Sequence, residues 1–447
     1  MGKTHTTHNY LNANDNDLHL DLFYVQFLSL NILTGLTRRR FKMKYPNLLS
    51  KSLLLSALTT SGFASAATPT PTLEELWTVI QSQQKQIASL KAKAAETEEK
   101  VEATGEALEQ QAANNQASHS KTTIGGYGEL HYNNLEEGDG DDFKEIDLHR
   151  FVLFFGHEFN ERTRFVGELE VEHGGVEADG SPLDGELEVE QAYVELDIND
   201  TLSAKGGVFL VPAGIMNETH EPPTFYGVER NPVENIIIPA TWVTGGAAIS
   251  NQFANGIQAD FAVHSGLQMP TTGSSAFRIR SGRQKISNAS ANDLAMTARL
   301  KYTGVPGLEL AGTVHYQSDI TQTSGDGADA ATLLEAHAIW NRGPFTAKAL
   351  FASWDIDGSA IAAAGGDKQD GYYLEGGYKL TKDFGIFARY NEVDGVRVQD
   401  EFDQIDIGFN WWPHEDVVVK VDYMDRENDN NSDRDLDGFN VGIGYQF

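Results

Sequence analysis

The sequence predicts an all-β fold, a 16-stranded antiparallel transmembrane β-barrel preceded by a short N-terminal periplasmic coiled-coil helix. Three observations lead to this prediction. From Thr122 onward, apolar and polar residues alternate, which is the two-residue period of strands with one polar face. Roughly sixteen candidate strands are joined alternately by tight turns and by long polar connections. The last strand, 439–447, has one fully apolar face and ends on Phe447.

The composition excludes several classes of function. A formal net charge of −31 at pH 7 argues against nucleic acid as a partner, because a polyanion binds basic surfaces. The absence of cysteine excludes a disulfide framework, a thiolate nucleophile and a Cys-ligated metal. Outside the predicted signal peptide at 43–66, no apolar run reaches the length of about 18 residues that a membrane-spanning helix requires. A closed barrel is the other fold that satisfies every backbone group in lipid.

The N-terminus is predicted to contain a signal peptide at an internal position. Met43 begins a short basic segment, 52–63 is mostly apolar, and 64–66 reads Ala-Ser-Ala, a small-x-small cleavage site. We therefore expect residues 43–66 to be the signal peptide. Residues 1–42 are interpreted as an extension from a misplaced start codon and are assigned no function.

Residues 67–121 are predicted to form a periplasmic coiled-coil helix and a hinge. Leu73, Ile80 and Ile87 recur at the seven-residue spacing of a coiled-coil position, and the pattern is diluted by Ala, Thr and Gln further on. One such helix cannot bury its apolar stripe alone, so three copies would suit a trimer. A frayed linker helix is the alternative interpretation.

Residues 122–447 are predicted to form the barrel. Tight turns such as Asn160-Glu161 and Lys382-Asp383 alternate with long connections such as 135–144 and 268–292. This regular alternation is typical of outer-membrane barrels, which have short periplasmic turns and long extracellular loops. A soluble β-sandwich has no physical reason to keep it through so many hairpins.

The alternation also assigns the faces of the strands. In 308–317 the apolar residues Leu310 and Val314 are expected to face lipid, while Glu309 and His315 face the lumen. Polar inner rows of this kind predict a lumen filled with water and not a packed core. The basic residues expected to line the lumen are Arg164, Arg299, Lys301, Lys348, Lys379, Arg389 and Lys420.

The longest connection, 213–241, is expected to have a function of its own. Loops of this length are usually functional or disordered, and the prolines and apolar residues here, Ile236 to Ile238 among them, argue against disorder. By strand count it is the third external loop.

This loop carries a resemblance to a known family. Its segment 217–234, Asn-Glu-Thr-His-Glu-Pro-Pro-Thr-Phe-Tyr-Gly-Val-Glu-Arg-Asn-Pro-Val-Glu, resembles the third loop of the phosphate-selective porin O and P family. The region from Thr122 to Phe447 is similar to that family along its length, including the opening Gly-Gly-Tyr-Gly at 125–128. The terminal strand resembles the assembly signal of Gram-negative outer-membrane barrels.

The resemblance implies a trimeric channel in the outer membrane whose third loop folds inward and narrows the pore. The candidate constriction residues that it implies are Glu218, His220, Glu221, Glu229, Arg230 and Glu234. The alternative is that Glu229 and Arg230 only fasten the loop to the wall. The expected partners are outer-membrane lipid and lipopolysaccharide, two further copies of the chain, the barrel assembly machinery and peptidoglycan, but no nucleic acid.

The first functional hypothesis is passive diffusion of small hydrophilic solutes and ions through a porin. Because the lumen is mixed in charge and the long loop is acidic, weak or cation-leaning selectivity is expected. An anion channel for phosphate or pyrophosphate and a structural protein that links the barrel to the cell wall are the alternatives. We expect no catalytic residue, no cofactor and no metal site, since the calcium-loop start at 433–438 has Gly444 where the twelfth ligand belongs.

Overall fold

The structure is a computed structural model that describes residues 121–138, 143–175, 185–323 and 327–447, together with positions 77, 81, 84 and 85. The predicted extension and signal peptide lie outside the described residues, as does the predicted coiled coil apart from those four positions. Within the described part of the chain, no helix combines the length and the apolar character needed to cross a membrane.

The described barrel is closed and contains 16 strands, as the sequence predicts. The first eight are β1 (Thr122–Glu137), β2 (Phe143–Asn160), β3 (Thr163–Glu172), β4 (Leu187–Asp197), β5 (Leu202–Leu210), β6 (Val243–Gln252), β7 (Ile257–His264) and β8 (Ala295–Val305). The other eight are β9 (Leu308–Gln317), β10 (Ala331–Arg342), β11 (Phe345–Ile356), β12 (Lys368–Thr381), β13 (Phe384–Asp394), β14 (Glu401–His414), β15 (Val417–Asn428) and β16 (Leu436–Gln446).

Pairing between the first and the last strand closes the ring. β1 and β16 are antiparallel, in a register that runs from Tyr127 opposite Gln446 to Glu137 opposite Leu436. Phe447 extends the pairing, since its N–H donates to Gly126 O at 2.9 Å and its carbonyl accepts from Gly126 N at 3.0 Å. Closure leaves no unpaired strand edge, which a barrel in lipid requires.

In the described parts of the connections there are two short helices and four 3-10 turns. The helices are α1 (Val233–Ile236) between β5 and β6, and α2 (Ser359–Ala363) between β11 and β12. The 3-10 turns are Pro222–Thr224, Arg280–Gly282, Val398–Asp400 and Ser432–Arg434. All the long connections lie at one end of the barrel, here called the loop end, and the tight turns lie at the turn end.

The faces of the strands follow the predicted alternation. On β9, Leu310 and Val314 are exposed on the outside, while Thr313 and His315 are buried inside. β14 repeats the pattern, with Ile407 exposed and Asp406 buried. The outer surface is therefore apolar and the inner rows are polar, which is the arrangement of a barrel in lipid.

The interior is not filled with water throughout, which corrects one expectation. The connection between β7 and β8, residues 265–294, folds inward instead of standing outside, and Leu267 and Ile279 on it are fully buried. They belong to one apolar cluster with residues of the β5–β6 connection and of the wall strands, including Trp242 and Trp354. Apolar side chains on the inner face of β10 to β14 pack against these two connections, so part of the lumen is a dry core.

Candidate functional site

The connection between β5 and β6, residues 211–242, folds into the barrel and is called the inward loop from here on. Asn217 joins its two ends: the side-chain Nδ2 donates to Val211 O at 2.7 Å, and Oδ1 accepts from Trp242 N at 2.5 Å. Asn217 and Trp242 are both fully buried. The Asn217 side chain thus links the two ends of the inward loop, and its amide nitrogen and oxygen both have hydrogen-bond partners.

The middle of the inward loop reaches strands on the far side of the ring. Asn410 on β14 donates from Nδ2 to Phe225 O at 2.9 Å, and Asp422 on β15 accepts from Val228 N at 2.6 Å. β14 and β15 lie across the ring of strands from β5 and β6, where the loop begins and ends. The loop therefore crosses the lumen and is fastened to both walls.

Glycines on the inner wall make room for this crossing. A Cβ added at Gly444 on β16 would lie 2.2 Å from Pro222 Cβ, and one added at Gly377 on β12 would lie 2.5 Å from Tyr226 Cε2. A side chain at either position would therefore clash with the inward loop. The small inner face of the terminal strand is therefore the surface on which the loop packs.

Glu218 and Glu221, two of the expected constriction residues, lie on the loop with partly exposed side chains. Glu218 forms an ion pair with Arg299 on β8 and keeps 32% of its side chain exposed. Asp260 on β7 shares the same guanidinium, with its Oδ2 2.8 Å from Arg299 Nη2. Glu221 is half-buried. The positive charge of Arg299 thus faces two carboxylates in the lumen.

His220 is buried and lies between two carboxylates of the wall. Its Nε2 is 3.9 Å from Glu168 Oε1 on β3 and 3.8 Å from Glu190 Oε2 on β4. Both distances are too long for hydrogen bonds.

Glu229 and Arg230 lie where the loop approaches β1. His131 Nδ1 lies 2.9 Å from Glu229 Oε1, and Asn133 Nδ2 donates to the same oxygen at 3.2 Å. The Glu229 side chain nevertheless keeps 39% of its surface exposed. Arg230 lines a cavity at the loop end, and its Nε and Nη2 are buried without a hydrogen-bond partner.

Glu234 on α1 is fully buried. Its Oε2 accepts hydrogen bonds from Ile215 N and Met216 N, both at 2.6 Å, and its Oε1 accepts from Tyr373 Oη at 2.9 Å. The carboxylate therefore holds two parts of the inward loop together and ties them to β12. The six expected constriction residues are thus spread along the whole crossing and are not gathered in one ring.

A row of alternating charges runs across four neighbouring strands of the inner wall. Lys348 on β11 is opposite Glu375 on β12, Glu375 is opposite Arg389 on β13, and Arg389 is opposite Asp406 on β14. The corresponding N–O distances are 3.3, 3.4 and 3.0 Å. Directly opposed residues of opposite charge stabilise a sheet and neutralise each other's field.

The remaining basic candidates have different surroundings. Arg164 on β3 pairs with Glu195 and Asp197 on β4, at 2.8 Å in each case. Lys420 on β15 is buried, with its Nζ 3.3 Å from the centre of the Phe225 ring. All seven predicted lumen bases share the inward face of their strands: Arg164, Arg299, Lys301, Lys348, Lys379, Arg389 and Lys420.

A cavity of ≈ 500 Å³ lies on the loop-end side of the inward loop. Its lining includes Arg230, Arg278, Arg397 and Arg426, of which only Arg230 was expected from the sequence. The lining also includes Asp147, the histidines next to it, Glu229 and Asp400. The cavity therefore brings basic and acidic side chains together, and Asp400 Oδ2 lies 3.3 Å from Arg278 Nε and 2.6 Å from Arg397 Nε.

The arginines of the 265–294 connection differ in their partners, since Arg278 Nε lies 3.3 Å from Asp400 Oδ2 while Arg280 has neutral acceptors. Arg280 donates from Nη1 to Asn235 O at 3.1 Å and to Ala240 O at 2.6 Å, and these acceptors are neutral. Burial, followed by repulsion from Arg283 and Arg278, lowers the pKa of Arg280 well below its ordinary value. The basic spacing in 278–283 was the signal that could have drawn attention to this cluster.

Comparison with known proteins supports an outer-membrane channel. Residues 123–447 match the family described as phosphate-selective porin O and P. An uncharacterized protein of Aquifex aeolicus (strain VF5) is 28% identical over 372 residues, which cover 73% of this chain and 80% of that protein. Because the family match covers well over half of the chain, the chain belongs to this family.

Solved structures with the same fold are porins. The anion-selective porin from Comamonas acidovorans has a TM-score of 0.52 at 14% identity, covering 73% of this chain and 100% of that chain. OmpF of Salmonella typhi, in complex with daunomycin, also has a TM-score of 0.52 at 14% identity, covering 73% and 97%. At such identities the likeness shows the fold alone.

Proposed function

We propose that this member of the phosphate-selective porin O and P family forms a water-filled channel in the outer membrane, through which small hydrophilic solutes and ions diffuse passively. The observation that carries the proposal is a closed barrel with an apolar outside, charged inner rows and a loop that crosses the lumen. Pore width at the loop and the charges beside it then select the solutes. The proposal contains no chemical step.

We further propose that selectivity is weak or leans toward cations. Arg389 is paired with Glu375 and Asp406, and Arg299 is paired with Asp260. A channel that strips water from a divalent anion needs cationic donors whose charge is not already neutralised. Because these bases are already paired, the partly exposed carboxylates of the inward loop determine the electrostatic potential in the lumen.

The permeability ratio for K⁺ and Cl⁻ tests this selectivity. The full chain, purified in detergent, is inserted into a planar bilayer with a KCl gradient across it, and the reversal potential is recorded. We expect a reversal potential close to zero or on the cation side. A strong preference for chloride would contradict the proposal of weak selectivity, although it would leave the channel function intact.

A second candidate function is an anion channel, and the arginines beside the loop-end cavity favour it. Arg230, Arg278 and Arg283 lie near the buried Arg280 and repel its charge. Arg278 is paired with Asp400, but Arg280 donates to neutral carbonyls, and a buried charge without countercharge is costly. Inorganic phosphate is the probe that separates the two candidates. In the second case, phosphate at millimolar concentration blocks the chloride current, and Arg278→Ala relieves the block. If the protein is instead a weakly selective porin, phosphate changes the current only through its contribution to ionic strength.

The oligomeric state and the partners of the barrel are proposed from the sequence. We propose a homotrimer that is inserted by the barrel assembly machinery and surrounded by outer-membrane lipid and lipopolysaccharide. The heptad spacing in 67–121 supports a periplasmic coiled coil that joins three copies and reaches toward peptidoglycan. Deletion of 72–116 should weaken the trimer on a non-denaturing gel and leave the conductance of each channel unchanged. Unchanged trimers would contradict the coiled-coil proposal.

A further inference from the structure

Three side chains from separate elements converge where the inward loop approaches β3 and β4. They are Glu168 on β3, Glu190 on β4 and His220 on the inward loop. The distances between them are too long for hydrogen bonds. Only 1% of each carboxylate side chain and 4% of the imidazole side chain are exposed. Their donor and acceptor atoms converge, because one ligand atom from each residue lies within 4.8 Å of the other two.

The polar atoms in this group are unsatisfied. Both nitrogens of His220, both carboxylate oxygens of Glu190, and Oε1 of Glu168 are buried without a hydrogen-bond partner. The other oxygen of Glu168 accepts from Gln191 Nε2 at 2.6 Å. Burial of charged or polar atoms in this state is strongly unfavourable. A ligand that contacts all three side chains would remove that penalty.

A second histidine in the same barrel provides the contrast. His337 on β10 also lies between two carboxylates, but its Nδ1 is 2.6 Å from Glu335 Oε1 and its Nε2 is 3.3 Å from Glu309 Oε1. Each nitrogen of His337 is therefore within hydrogen-bond distance of one carboxylate. In the His220 group, a single nitrogen faces both carboxylates from 3.8 and 3.9 Å.

These longer separations fit a metal ion between the atoms. Zinc binds imidazole nitrogen and carboxylate oxygen at about 2.0–2.2 Å, so two of its ligand atoms lie at most about 4.4 Å apart. One imidazole with two carboxylates is a ligand set for divalent transition metals, whereas Ca²⁺ and Mg²⁺ prefer oxygen alone. Two carboxylates would also neutralise the charge of a divalent cation.

We propose that Glu168, Glu190 and His220 form a binding site for a divalent transition-metal ion, with Zn²⁺ as the representative ion, and that the metal fastens the inward loop to β3 and β4. Other hydrogen bonds and ion pairs connect the loop to β1, β8, β9 and β11 through β15, and to the 265–294 connection. The metal therefore adds the attachment to the wall formed by β3 and β4. This inference does not depend on which solute the channel conducts.

Zinc content per chain tests the site directly. The purified full chain is treated with a chelator, equilibrated with micromolar Zn²⁺, desalted, and analysed by inductively coupled plasma mass spectrometry. We expect His220→Ala to bind about one zinc ion per chain less than the wild type, as removal of a three-ligand site requires. Glu190→Gln, which hardly changes the shape of the side chain, should show the same loss.

The matched control is His337→Ala, because it removes an imidazole that is equally buried on the inner wall. This variant should keep the zinc content of the wild type. The heat-modifiable migration of each variant on a gel reports whether its barrel is folded. Equal zinc in the wild type, His220→Ala and Glu190→Gln would overturn the proposal and favour a protonated imidazole held between two carboxylates.

X-ray absorption at the zinc edge of the wild type keeps the proposal testable if His220→Ala fails to fold. One imidazole and carboxylate oxygens should form the first shell of the ion. A first shell with two or more imidazoles would instead place the zinc at the cluster of His149 and His173 with Asp147, and would contradict the proposal.

Discussion

The two sides of the barrel interior are built in different ways. On the packed side, the inward loop and the 265–294 connection cover the loop-end parts of β10 to β14, and side chains such as Ile237, Trp242 and Trp354 are fully buried among apolar neighbours. The charge row from Lys348 to Asp406 lies further along β11 to β14, beyond this packed part. On the charged side, β1 to β4 carry ion pairs across neighbouring strands, such as Glu129 Oε1 at 2.8 Å from Arg150 Nε. Both sides are inner faces of strands with the same two-residue period.

The difference shows what strand alternation determines and what it does not. Alternation decides which side chains point inward, because neighbouring residues lie on opposite faces. Whether an inward side chain meets water or protein depends on where the long connections fold. Apolar inner residues occur where a connection covers the wall, and acids paired with bases occur where the wall faces other polar groups.

Truncating the centre of the packed side should have the largest effect. Trp354 is fully buried, and its Nε1 donates to Ile237 O of the inward loop at 2.9 Å. Trp354→Ala removes this contact and leaves a cavity, so the free energy of unfolding should fall by about 3–5 kcal/mol. Urea titration in detergent, followed by tryptophan fluorescence, measures the loss. Trp340→Ala, on the outer face of β10, is the control and should lose clearly less.

Removing the buried carboxylate of the inward loop should have the next largest effect. Glu234→Ala leaves Ile215 N, Met216 N and the Tyr373 hydroxyl without their acceptor, which should cost on the order of 3 kcal/mol. The same urea titration measures the change. Glu221→Ala, on the half-buried part of the loop, should stay close to the wild type. Equal effects of the two substitutions would mean that Glu234 does not organise the loop.

A methyl group between the loop and the wall should have a smaller effect on stability. In Gly444→Ala the new Cβ would lie 2.2 Å from Pro222 Cβ, so the loop must move. Overpacking of this kind costs about 1–3 kcal/mol. The single-channel current should also change, because the loop crosses the lumen. In Gly376→Ala the new Cβ would have no neighbour within 4 Å, and this control should alter neither stability nor current.

Neutralising the acids of the inward loop should act mainly on selectivity, because glutamine can still accept the hydrogen bonds that these carboxylates receive. In the triple variant Glu218→Gln, Glu221→Gln and Glu229→Gln, partly exposed charges are lost beside the lumen. Since exposed charges contribute up to about 1 kcal/mol each, the permeability ratio should shift roughly two- to five-fold toward anions. Reversal potentials in a KCl gradient measure the shift.

The control for this variant changes the same number of acids at the turn end. Glu158, Glu161 and Glu415 are exposed there, away from the inward loop, and their conversion to glutamine should leave the permeability ratio unchanged. An equal shift in both variants would mean that overall charge, and not the loop, sets selectivity.

Much of the fold could be predicted from the sequence because it depends on local patterns. The strand count, the face of each lumen base such as Arg389, and the long loop at 213–241 followed from alternation and turn residues. The inward course of 265–294 did not, although its apolar residues Leu267 and Ile279 were a signal for it. Apolar residues in a supposedly external loop indicate a buried surface.

The candidate site was less predictable, because it depends on contacts between residues far apart in the chain. Glu234 and Glu218 lie on the same loop, and nothing in the sequence distinguishes a fully buried carboxylate from one that keeps a third of its surface exposed. The approach of Glu168 and Glu190 to His220 depends likewise on the register of two strands and on the path of the loop. Contacts of this kind can be identified only from the structure of the closed barrel.

The current through single channels of the purified full chain tests the central claim most directly. If the charged inner rows enclose a continuous aqueous path past the inward loop, insertion into a planar bilayer should give discrete current steps that grow in proportion to KCl concentration. Insertion of folded protein without any current would contradict the account, because it would mean that the inward loop and the 265–294 connection close the lumen.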